Sequence, residues 1–275
     1  MPELPETETI ARDLDREIAG RRIVEVVVEK ADVLRDVSPA ELRARLVGRE
    51  IVRCWRRAKL VVLDLDSGDR IVVQPRFTGA LLLSRGPLPD REAPYSTLHA
   101  TLDDGRDLHY RDIRRLGTVA LMDPARFAAY SAGLGTEPLD QAFTDAHLSG
   151  IVRGSRQAIK KVLMDQRVLV GVGNIYANEA CWRAGVDPSR AARSLGPDEI
   201  AALHAGIIGV LTESIAARGT SFRDYRDATG GKGDFERSLA VYGRGNEPCL
   251  RCGARLIETH AIDGRSTVLC ARCQR

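Results

Sequence analysis

The sequence predicts an α+β protein of several domains: an N-terminal antiparallel β-sandwich with flanking helices, a helical middle part and a C-terminal cysteine-rich hairpin. Between residues 20 and 122, apolar and polar residues alternate and turn signals recur, as in β-strands. From about Pro124 the chain changes to alanine-rich and leucine-rich segments with helical spacing. Two Cys-x-x-Cys pairs follow between residues 249 and 273. The chain has 275 residues, which is enough for two or three domains.

The first predicted element is an amphipathic helix that begins near residue 5. Ile10, Leu14 and Ile18 recur at every fourth position, and Gly20 marks its end. Strands of the sandwich are predicted at residues 23–28, 51–55, 60–65, 71–73, 80–83, 98–102 and 118–121. Helices are predicted at 124–132, 141–153, 156–166, 174–185 and 197–217, and a glycine-rich mobile loop at 219–236.

The composition is that of an ordinary soluble protein, with 44% hydrophobic and 29% charged residues. No unbroken apolar run approaches the ~18 residues that a membrane span requires. The first residues are polar and acidic, unlike an export signal. We therefore expect no membrane partner and a cytoplasmic location.

Basic residues are concentrated in the second half of the chain. Residues 1–150 carry 22 Lys and Arg against 25 Asp and Glu, a net −3, whereas residues 151–275 carry 19 against 13, a net +6. This asymmetry favours a polyanionic partner whose phosphates are bound by the second half. A solvated basic face would have the same composition.

Four of the six cysteines form two Cys-x-x-Cys pairs separated by seventeen residues: Cys249, Cys252, Cys270 and Cys273. This spacing is typical of a zinc ribbon, in which four thiolates complete a tetrahedral Zn²⁺ site. Disulfides are the alternative, which a reducing compartment disfavours. Cys54 and Cys181 stand among apolar neighbours and are predicted to be core residues.

Between the cysteine pairs, residues 256–260 and 267–269 are predicted strands joined at the turn signal Asp263-Gly264. Arg265 then lies at the tip of a metal-held hairpin, where a guanidinium can meet a phosphate. A solvated arginine is equally consistent with this segment alone.

Pro2 follows the initiator methionine, and its small side chain suits methionine removal, which would free a secondary amine. Attack of this amine on a sugar aldehyde carbon gives an iminium cation, an electron sink for elimination of neighbouring phosphates. Glu3 could protonate a departing base or an opened sugar. Met-Pro-Glu by itself is a common start, and the cysteine hairpin is what favours the functional interpretation.

Three further segments are candidates for nucleic-acid contacts. Lys59 precedes the apolar run 60–63 at a predicted strand entrance, although a surface lysine is the usual case. Arg114 and Arg115 precede Leu116, and an apolar wedge flanked by arginine is what base extrusion requires.

The third segment is the glycine-rich stretch before a predicted helix opened by Asn174 as its N-cap. Backbone amides at such a helix start can bind phosphate. The stretch lacks the spacing of a Walker loop or a dinucleotide fingerprint.

Six ordered blocks resemble the formamidopyrimidine-DNA glycosylase (Fpg/Nei) family along nearly the whole chain: residues 1–6, 57–59, 134–139, 165–176, 241–244 and 249–273. The resemblance implies a β-sandwich, a helix-two-turn-helix domain and a zinc finger, with damaged double-stranded DNA between domains. Domain boundaries are predicted at 1–123 (catalytic sandwich), 124–236 (helix-two-turn-helix, with a lesion loop near 219–236) and 237–275 (zinc finger). We expect a monomer with one structural zinc.

The resemblance also implies individual roles. Pro2 would be the Schiff-base nucleophile, Glu3 the proton donor, Lys59 the acid for β-elimination and Arg265 the group assisting δ-elimination. The implied DNA contacts are Tyr95, Arg115, Arg156, Asn174, Tyr242 and Arg244. The implied residues that fill the space left by the extruded nucleotide are Phe77, Arg114 and Leu116.

This chain departs from the family pattern in the lesion-recognition region. Phe77 stands where the 8-oxoguanine enzymes usually have Met, Leu116 where they have Phe, Ile113 where they have Pro, and Tyr95 where a DNA-contacting His is common. We expect excision of oxidised or ring-opened purines, followed by nicking of the abasic site. The alternatives are a Nei-like enzyme for oxidised pyrimidines or other lesions, and a damage-binding protein or abasic-site lyase with little glycosylase activity.

Overall fold

The computed structural model describes residues 2–222 and 224–275. Their contacts divide the chain into two compact units. Unit 1 is Met1–Ala132 with Ala217–Glu236, and unit 2 is Gly133–Ala216 with Arg237–Arg275. The predicted loop near 219–236 therefore belongs by its contacts to the sandwich unit, while the division into three domains and the mobility of the loop stay predictions.

Unit 1 is the predicted sandwich. Its strands are β1 (Ile23–Val28), β2 (Leu34–Arg35), β3 (Ile51–Arg57), β4 (Leu60–Leu65), β5 (Arg70–Gln74), β6 (Gly79–Arg85), β7 (Ser96–Leu102), β8 (Arg106–Asp112) and β9 (Thr118–Met122). They form a four-stranded sheet in the order β1-β7-β8-β6 and a five-stranded sheet in the order β2-β9-β5-β4-β3. Pairing is antiparallel except between β2 and β9, which are parallel.

The helices of unit 1 are α1 (Leu4–Ile18), α2 (Pro39–Leu46) and α3 (Pro124–Ala132). As the sequence predicts, α1 buries Ile10, Leu14 and Ile18 completely in the core of the sandwich. Fully burying one such aliphatic side chain contributes about 1.5–3 kcal/mol to stability. This packing is what positions the start of α1.

Sequence reasoning missed β2, α2 and β8. The strand β8 has the sequence Arg-Asp-Leu-His-Tyr-Arg-Asp, which lacks a simple apolar alternation. It lies between β6 and β7, so that Leu108 to Asp112 are buried, including Arg111 and Asp112. Burial of charged residues on this strand is set by its central place in the sheet.

Unit 2 contains α4 (Asp145–Arg153), α5 (Ile159–Leu163), α6 (Asn174–Ala184), α7 (Pro197–Ala216), β10 (Ile257–Thr259) and β11 (Thr267–Leu269). By length and composition α7 could cross a bilayer, with mean hydropathy 1.4. It buries Leu203, Ile207, Val210 and Leu211 completely and contacts α6. We interpret α7 as the core helix of unit 2.

Candidate active site and nucleic-acid interface

The N-terminal turn of α1 holds both residues predicted for the first chemical steps. Pro2 is buried, and Glu3, the N-cap residue, is 1% exposed. The Glu3 backbone N–H donates to Glu6 Oε2 at 2.8 Å, and the Thr7 hydroxyl donates to the Glu3 carbonyl at 2.8 Å. Met1, whose removal the predicted chemistry requires, lies outside the described residues. The backbone of Glu3 is therefore held by the side chains of Glu6 and Thr7.

Glu6 uses its second carboxylate oxygen to bind the 217–236 segment. Its Oε1 accepts the backbone N–H of Thr220 at 2.8 Å, and the carboxylate is almost completely buried. A Cβ on Gly219 would lie 3.0 Å from the Glu6 side chain, so the close approach favours glycine, as does its φ of +86°. Glu6 thus joins the N-terminal turn of α1 to this segment.

Lys59 lies in the two-residue turn between β3 and β4 and is half-buried. The preceding Ala58 is buried and has a φ of +55°. The Arg56 guanidinium donates to the Ala58 carbonyl at 3.1 Å and to Glu8 Oε2 at 2.7 Å. Burial raises the pKa of Glu8, but the charge and hydrogen bonds of Arg56 and Arg12 outweigh burial and lower it. The turn that presents Lys59 is therefore anchored to α1.

The predicted wedge residues come together on two adjoining loops. The Arg114 guanidinium lies 4.9 Å from the centre of the Phe77 ring, a cation–π contact. Phe77 is 44% and Leu116 40% exposed, as an inserting wedge would have to be. Both loops are organised by Asp112, which is 1% exposed.

Asp112 accepts the Thr78 hydroxyl and also the Gly117 N–H, the latter at 2.8 Å. The Thr78 hydroxyl in turn accepts the Arg114 N–H at 3.0 Å. A Cβ on Gly117 would lie 1.9 Å from the Tyr110 hydroxyl, so only glycine fits there. The wedge loops are thus one hydrogen-bonded unit.

The other predicted DNA contacts of unit 1 are surface residues. Arg115 has a φ of +51° and forms a 3.1 Å ion pair with Asp32. Tyr95 is 37% exposed, and the Arg111 guanidinium lies 5.8 Å from its ring centre.

In unit 2 the four predicted cysteines form one cluster. Their Sγ atoms all lie within 4.8 Å of one another, with Cys249 and Cys273 at 4.0 Å and Cys252 and Cys270 at 3.5 Å. Tetrahedral Zn–S bonds of about 2.3 Å require sulfur separations of about 3.8 Å. The cluster therefore fits one Zn²⁺ ion, whose chemistry here is structural. Cys54 and Cys181 are buried, and burial raises the pKa of both thiols, that of Cys181 to about 12.

The cysteine hairpin carries Arg265 next to its turn. Asp263 and Gly264 have φ values of +51° and +66°, as the predicted turn requires, and Arg265 is exposed. The following Ser266 carbonyl accepts Lys160 Nζ at 2.8 Å, and Lys160 also donates to the Thr267 hydroxyl at 2.7 Å. Lys160 is completely buried. A buried ammonium group therefore fixes the two residues that follow Arg265 in the hairpin.

Asn174 is not the N-cap of α6, contrary to the sequence prediction. The N-cap is Gly173, and Asn174 is the first helical residue. Its Nδ2 donates to the Ser266 carbonyl at 3.1 Å. In the described part of the chain its buried Oδ1 has no hydrogen-bond partner. Glycine at the N-cap leaves the Asn174 side chain available to contact the hairpin.

Tyr242 and Arg244 lie on the segment that leads to the hairpin. The Glu179 carboxylate, 1% exposed, accepts the backbone N–H groups of residues 240, 241 and 242 at 2.8–2.9 Å. Arg244 donates to the Ala240 carbonyl and pairs with Glu247 at 2.8 Å. These contacts suit a role of Arg244 in holding the segment. Arg156 is exposed in the connection between α4 and α5.

Sequence reasoning missed three buried charged residues that hold these sites: Glu6, Lys160 and Glu179. A charged residue inside a buried helix signals a specific partner. That signal was available for Glu179 and Lys160, which stand among apolar residues of α6 and α5. The partners themselves, distant backbone groups, were not predictable from spacing.

Comparison with known proteins agrees with this geometry. Residues 1–119 match the formamidopyrimidine-DNA glycosylase N-terminal domain, 134–226 its H2TH domain and 246–275 the zinc finger found in FPG and IleRS. The formamidopyrimidine-DNA glycosylase of Roseiflexus sp. (strain RS-1) is 41% identical over 278 residues, covering 100% of both chains.

Solved structures give the same result. The MutM (Fpg) protein of Thermus thermophilus superposes with a TM-score of 0.87 at 34% identity, covering 99% of this chain and 98% of that one. A Lactococcus lactis Fpg variant in complex with Fapy-dG containing DNA gives 0.92 at 30% identity, covering 100% of both. The fold is that of a base-excision DNA glycosylase. The chain belongs to the formamidopyrimidine-DNA glycosylase family.

Proposed function

We propose that this protein is a bifunctional DNA glycosylase that removes oxidised or ring-opened purines, such as 8-oxoguanine and formamidopyrimidine, and then nicks the abasic site. The observation that carries the proposal is the N-terminal turn of α1, where Pro2 and a buried Glu3 stand side by side on a rigid support. Full-length similarity to proteins named formamidopyrimidine-DNA glycosylase supports it.

In the proposed reaction, the Pro2 nitrogen, freed by removal of Met1, attacks C1′ of the damaged nucleotide. The base departs with a proton, for which Glu3 is the proposed donor. The Pro2 nitrogen loses its own proton, and the C1′–O4′ bond then breaks with O4′ leaving as a protonated hydroxyl, which opens the sugar and gives an iminium. The resulting iminium nitrogen carries no hydrogen, so its positive charge cannot be lost by deprotonation at nitrogen. It draws the electron pair left when a proton is removed from C2′.

Strand cleavage follows from that cation. Loss of the C2′ proton expels the 3′ phosphate, and a second elimination expels the 5′ phosphate. We propose that Lys59 assists the first elimination as a general acid and that Arg265 assists the second by pairing with phosphate. DNA contacts are proposed for Tyr95, Arg115, Arg156, Asn174, Tyr242 and Arg244, with Arg115, Arg156 and Asn174 on phosphates. The protein is proposed to act as a monomer in the cytoplasm, at the chromosomal DNA.

Phe77 and Leu116 favour a second candidate, the removal of oxidised pyrimidines. Both replace usual residues of the 8-oxoguanine enzymes, and both are exposed at the stacked wedge. A structure of the Lactococcus lactis Fpg, 29% identical to this chain, contains oxidised pyrimidine DNA. With this wedge, the proposed range of excised lesions includes oxidised pyrimidines as well as purines.

Borohydride trapping tests the proposal. Full-length protein is incubated with duplexes carrying 8-oxoguanine, formamidopyrimidine, an oxidised pyrimidine or an abasic site, and intact mass establishes whether Met1 is removed. We expect covalent adducts with the purine lesions and the abasic site, and none with Pro2→Gly. An adduct with the abasic duplex alone would indicate that the protein is an abasic-site lyase without glycosylase activity. The absence of any adduct would indicate a damage-binding protein. Normal trapping by Pro2→Gly would disprove Pro2 as nucleophile.

A further inference from the structure

A cluster of three charges joins α1 to the 217–236 segment and has no part in the proposed chemistry. Arg218 Nη2 lies 2.5 Å from Asp13 Oδ2 and 2.6 Å from Asp227 Oδ2, and Arg218 Nε donates to the same Asp227 oxygen at 3.1 Å. The carboxylate side chains are 2% and 3% exposed, whereas that of Arg218 is 43% exposed. One guanidinium thus bridges two nearly buried carboxylates.

The Asp227 carboxylate also shapes its own segment. Its Oδ1 accepts the Thr229 N–H at 3.0 Å, the Thr229 hydroxyl at 2.9 Å and the Gly231 N–H at 2.7 Å. A Cβ on Gly231 would lie 2.7 Å from Asp227 Oδ2, so this turn needs glycine. Burial raises the pKa of Asp227, but hydrogen bonds from Arg218 and Thr229 outweigh it and lower the pKa. Asp227 therefore remains charged and needs a counter-charge.

The bridge acts beside the catalytic turn. Thr220, two residues after Arg218, donates its N–H to Glu6, whose other oxygen holds Glu3. At the far side of the segment, the Leu83 N–H donates to the Ala228 carbonyl at 2.9 Å. Phe222, between these attachment points, is 44% exposed. The segment is thus anchored to α1 and to β6 and presents an apolar residue between the anchors.

We propose that Arg218 is a positioning residue that holds the 217–236 segment against α1 and thereby shapes the space next to Pro2 and Glu3 that receives the damaged base. The inference rests on the proposed function. Without Arg218, the nearly buried Asp227 carboxylate would lose its counter-charge and Asp13 would keep only the exposed Arg16. Repulsion between the two carboxylates would then drive the segment and the helix apart. An abasic nucleotide carries no base to be held. Base release should therefore depend on Arg218 much more than nicking does.

The test compares two single-turnover rates in full-length protein: release of 8-oxoguanine from a duplex and nicking of a preformed abasic duplex. We expect Arg218→Ala to slow base release about tenfold or more, since misplacement by about 1 Å can cost about 10²-fold. Nicking should change by less than about twofold. The matched control is Arg16→Ala, because Arg16 contacts the same Asp13 at 3.1 Å but has a side chain 60% exposed. It should leave both rates unchanged.

Two further measurements separate positioning from a general loss of structure. Hydrogen exchange of the Thr220 and Gly231 amides should be faster in Arg218→Ala and normal in Arg16→Ala. The double variant Asp13→Asn/Arg218→Ala should release base no more slowly than Arg218→Ala, because removing one carboxylate relieves the repulsion. If Arg218→Ala does not fold, Asp227→Asn, which keeps the side-chain volume, should show the same selective loss.

Unchanged base release in Arg218→Ala, or in Asp227→Asn where the first variant fails to fold, would overturn the inference. An equal loss of base release and nicking would also overturn it. These outcomes presuppose a wild-type protein that releases base. A wild-type protein that releases none of the lesions would contradict the proposed function instead, so the two failures are distinguishable.

Discussion

The N-terminal turn of α1 and the cysteine hairpin both carry residues proposed to act in the reaction, but different forces hold them. The turn rests on a helix whose apolar face is buried in a large core, and Glu6 holds the backbone of Glu3. The hairpin has two strands of three residues each, β10 and β11, and its buried apolar cluster includes Leu256 and two of the cysteines, Cys249 and Cys270. So small a core cannot stabilise a hairpin without a metal.

The two sites are therefore vulnerable in different ways. The turn depends on hydrogen bonds to buried carboxylates, which are specific to single residues. The hairpin depends on four thiolates that act together and on one buried lysine, Lys160. Changes at the hairpin should therefore remove a whole element, whereas changes at the turn should remove single chemical steps.

Loss of the metal should have the largest effect. We expect Cys270→Ser to lose zinc and the folded hairpin, because binding of a structural zinc is worth about 10 kcal/mol or more. Nicking of an abasic duplex should fall about 10²-fold or more, while unit 1 keeps its folded state. Metal content, nicking rate and hydrogen exchange of both units check this. If the hairpin amides stay protected from hydrogen exchange without zinc, the hairpin does not depend on the metal, and the proposed difference between the two regions is wrong.

Glu3→Gln tests the turn at a single chemical step. Loss of a general acid costs about 10²–10⁴-fold in rate, so release of 8-oxoguanine should fall within that range. Nicking of a preformed abasic site needs no base protonation and should fall much less. The two rates, measured in single turnover, check the prediction. An equal loss of both would mean that Glu3 acts on the sugar and not on the base.

Lys160→Met tests the second support of the hairpin. It removes the buried donor to the Thr267 hydroxyl and leaves the Ser266 carbonyl with Asn174 but without its ammonium donor, which should destabilise the protein by about 1–3 kcal/mol. The neighbouring Lys161 is the control. It forms an exposed pair with Asp263 at 2.9 Å, so Lys161→Met should cost about 1 kcal/mol or less. Urea unfolding compares the two variants, and equal stabilities would show that the buried ammonium does not support the hairpin.

Arg265→Ala should have a smaller effect than loss of the whole hairpin. Its guanidinium is exposed beside the turn, and we propose that it contacts one phosphate. The slope of the logarithm of the DNA-binding constant against the logarithm of salt concentration should decrease in magnitude by about one. The second elimination should also slow. Titration at several salt concentrations and analysis of the nicked ends check this. An unchanged slope with unchanged end products would exclude the contact.

Leu116→Phe should have the smallest effect on rate and a visible effect on selectivity. Leu116 is exposed on the same loop as Arg114, whose guanidinium contacts the Phe77 ring, and a larger ring at position 116 would fill more of the vacated stack. We expect the order of preference for the base opposite the lesion to change. Excision rates from duplexes with each of the four opposite bases measure this preference. An order of preference identical to that of the wild-type protein would show that Leu116 is not a wedge residue.

Local patterns determined most of the framework. The period of α1, most of the sandwich strands, the helices at 124–132 and 174–184 and the spacing of the cysteine pairs were predicted correctly, because each depends on neighbours in the chain. The candidate residues Pro2, Glu3, Lys59 and Arg265 were also named from sequence. Their roles stay predictions until the rates are measured.

The order of the elements and the metal-binding cysteines can be predicted from local patterns, since periodicity and short spacing act over a few residues. Three features required the folded chain: the 217–236 segment belongs with the sandwich, Gly173 and not Asn174 caps α6, and distant groups are held by Glu6, Lys160, Glu179 and Arg218. A buried charge needs a partner, but the partner is chosen by the fold, at separations in sequence that no local pattern records.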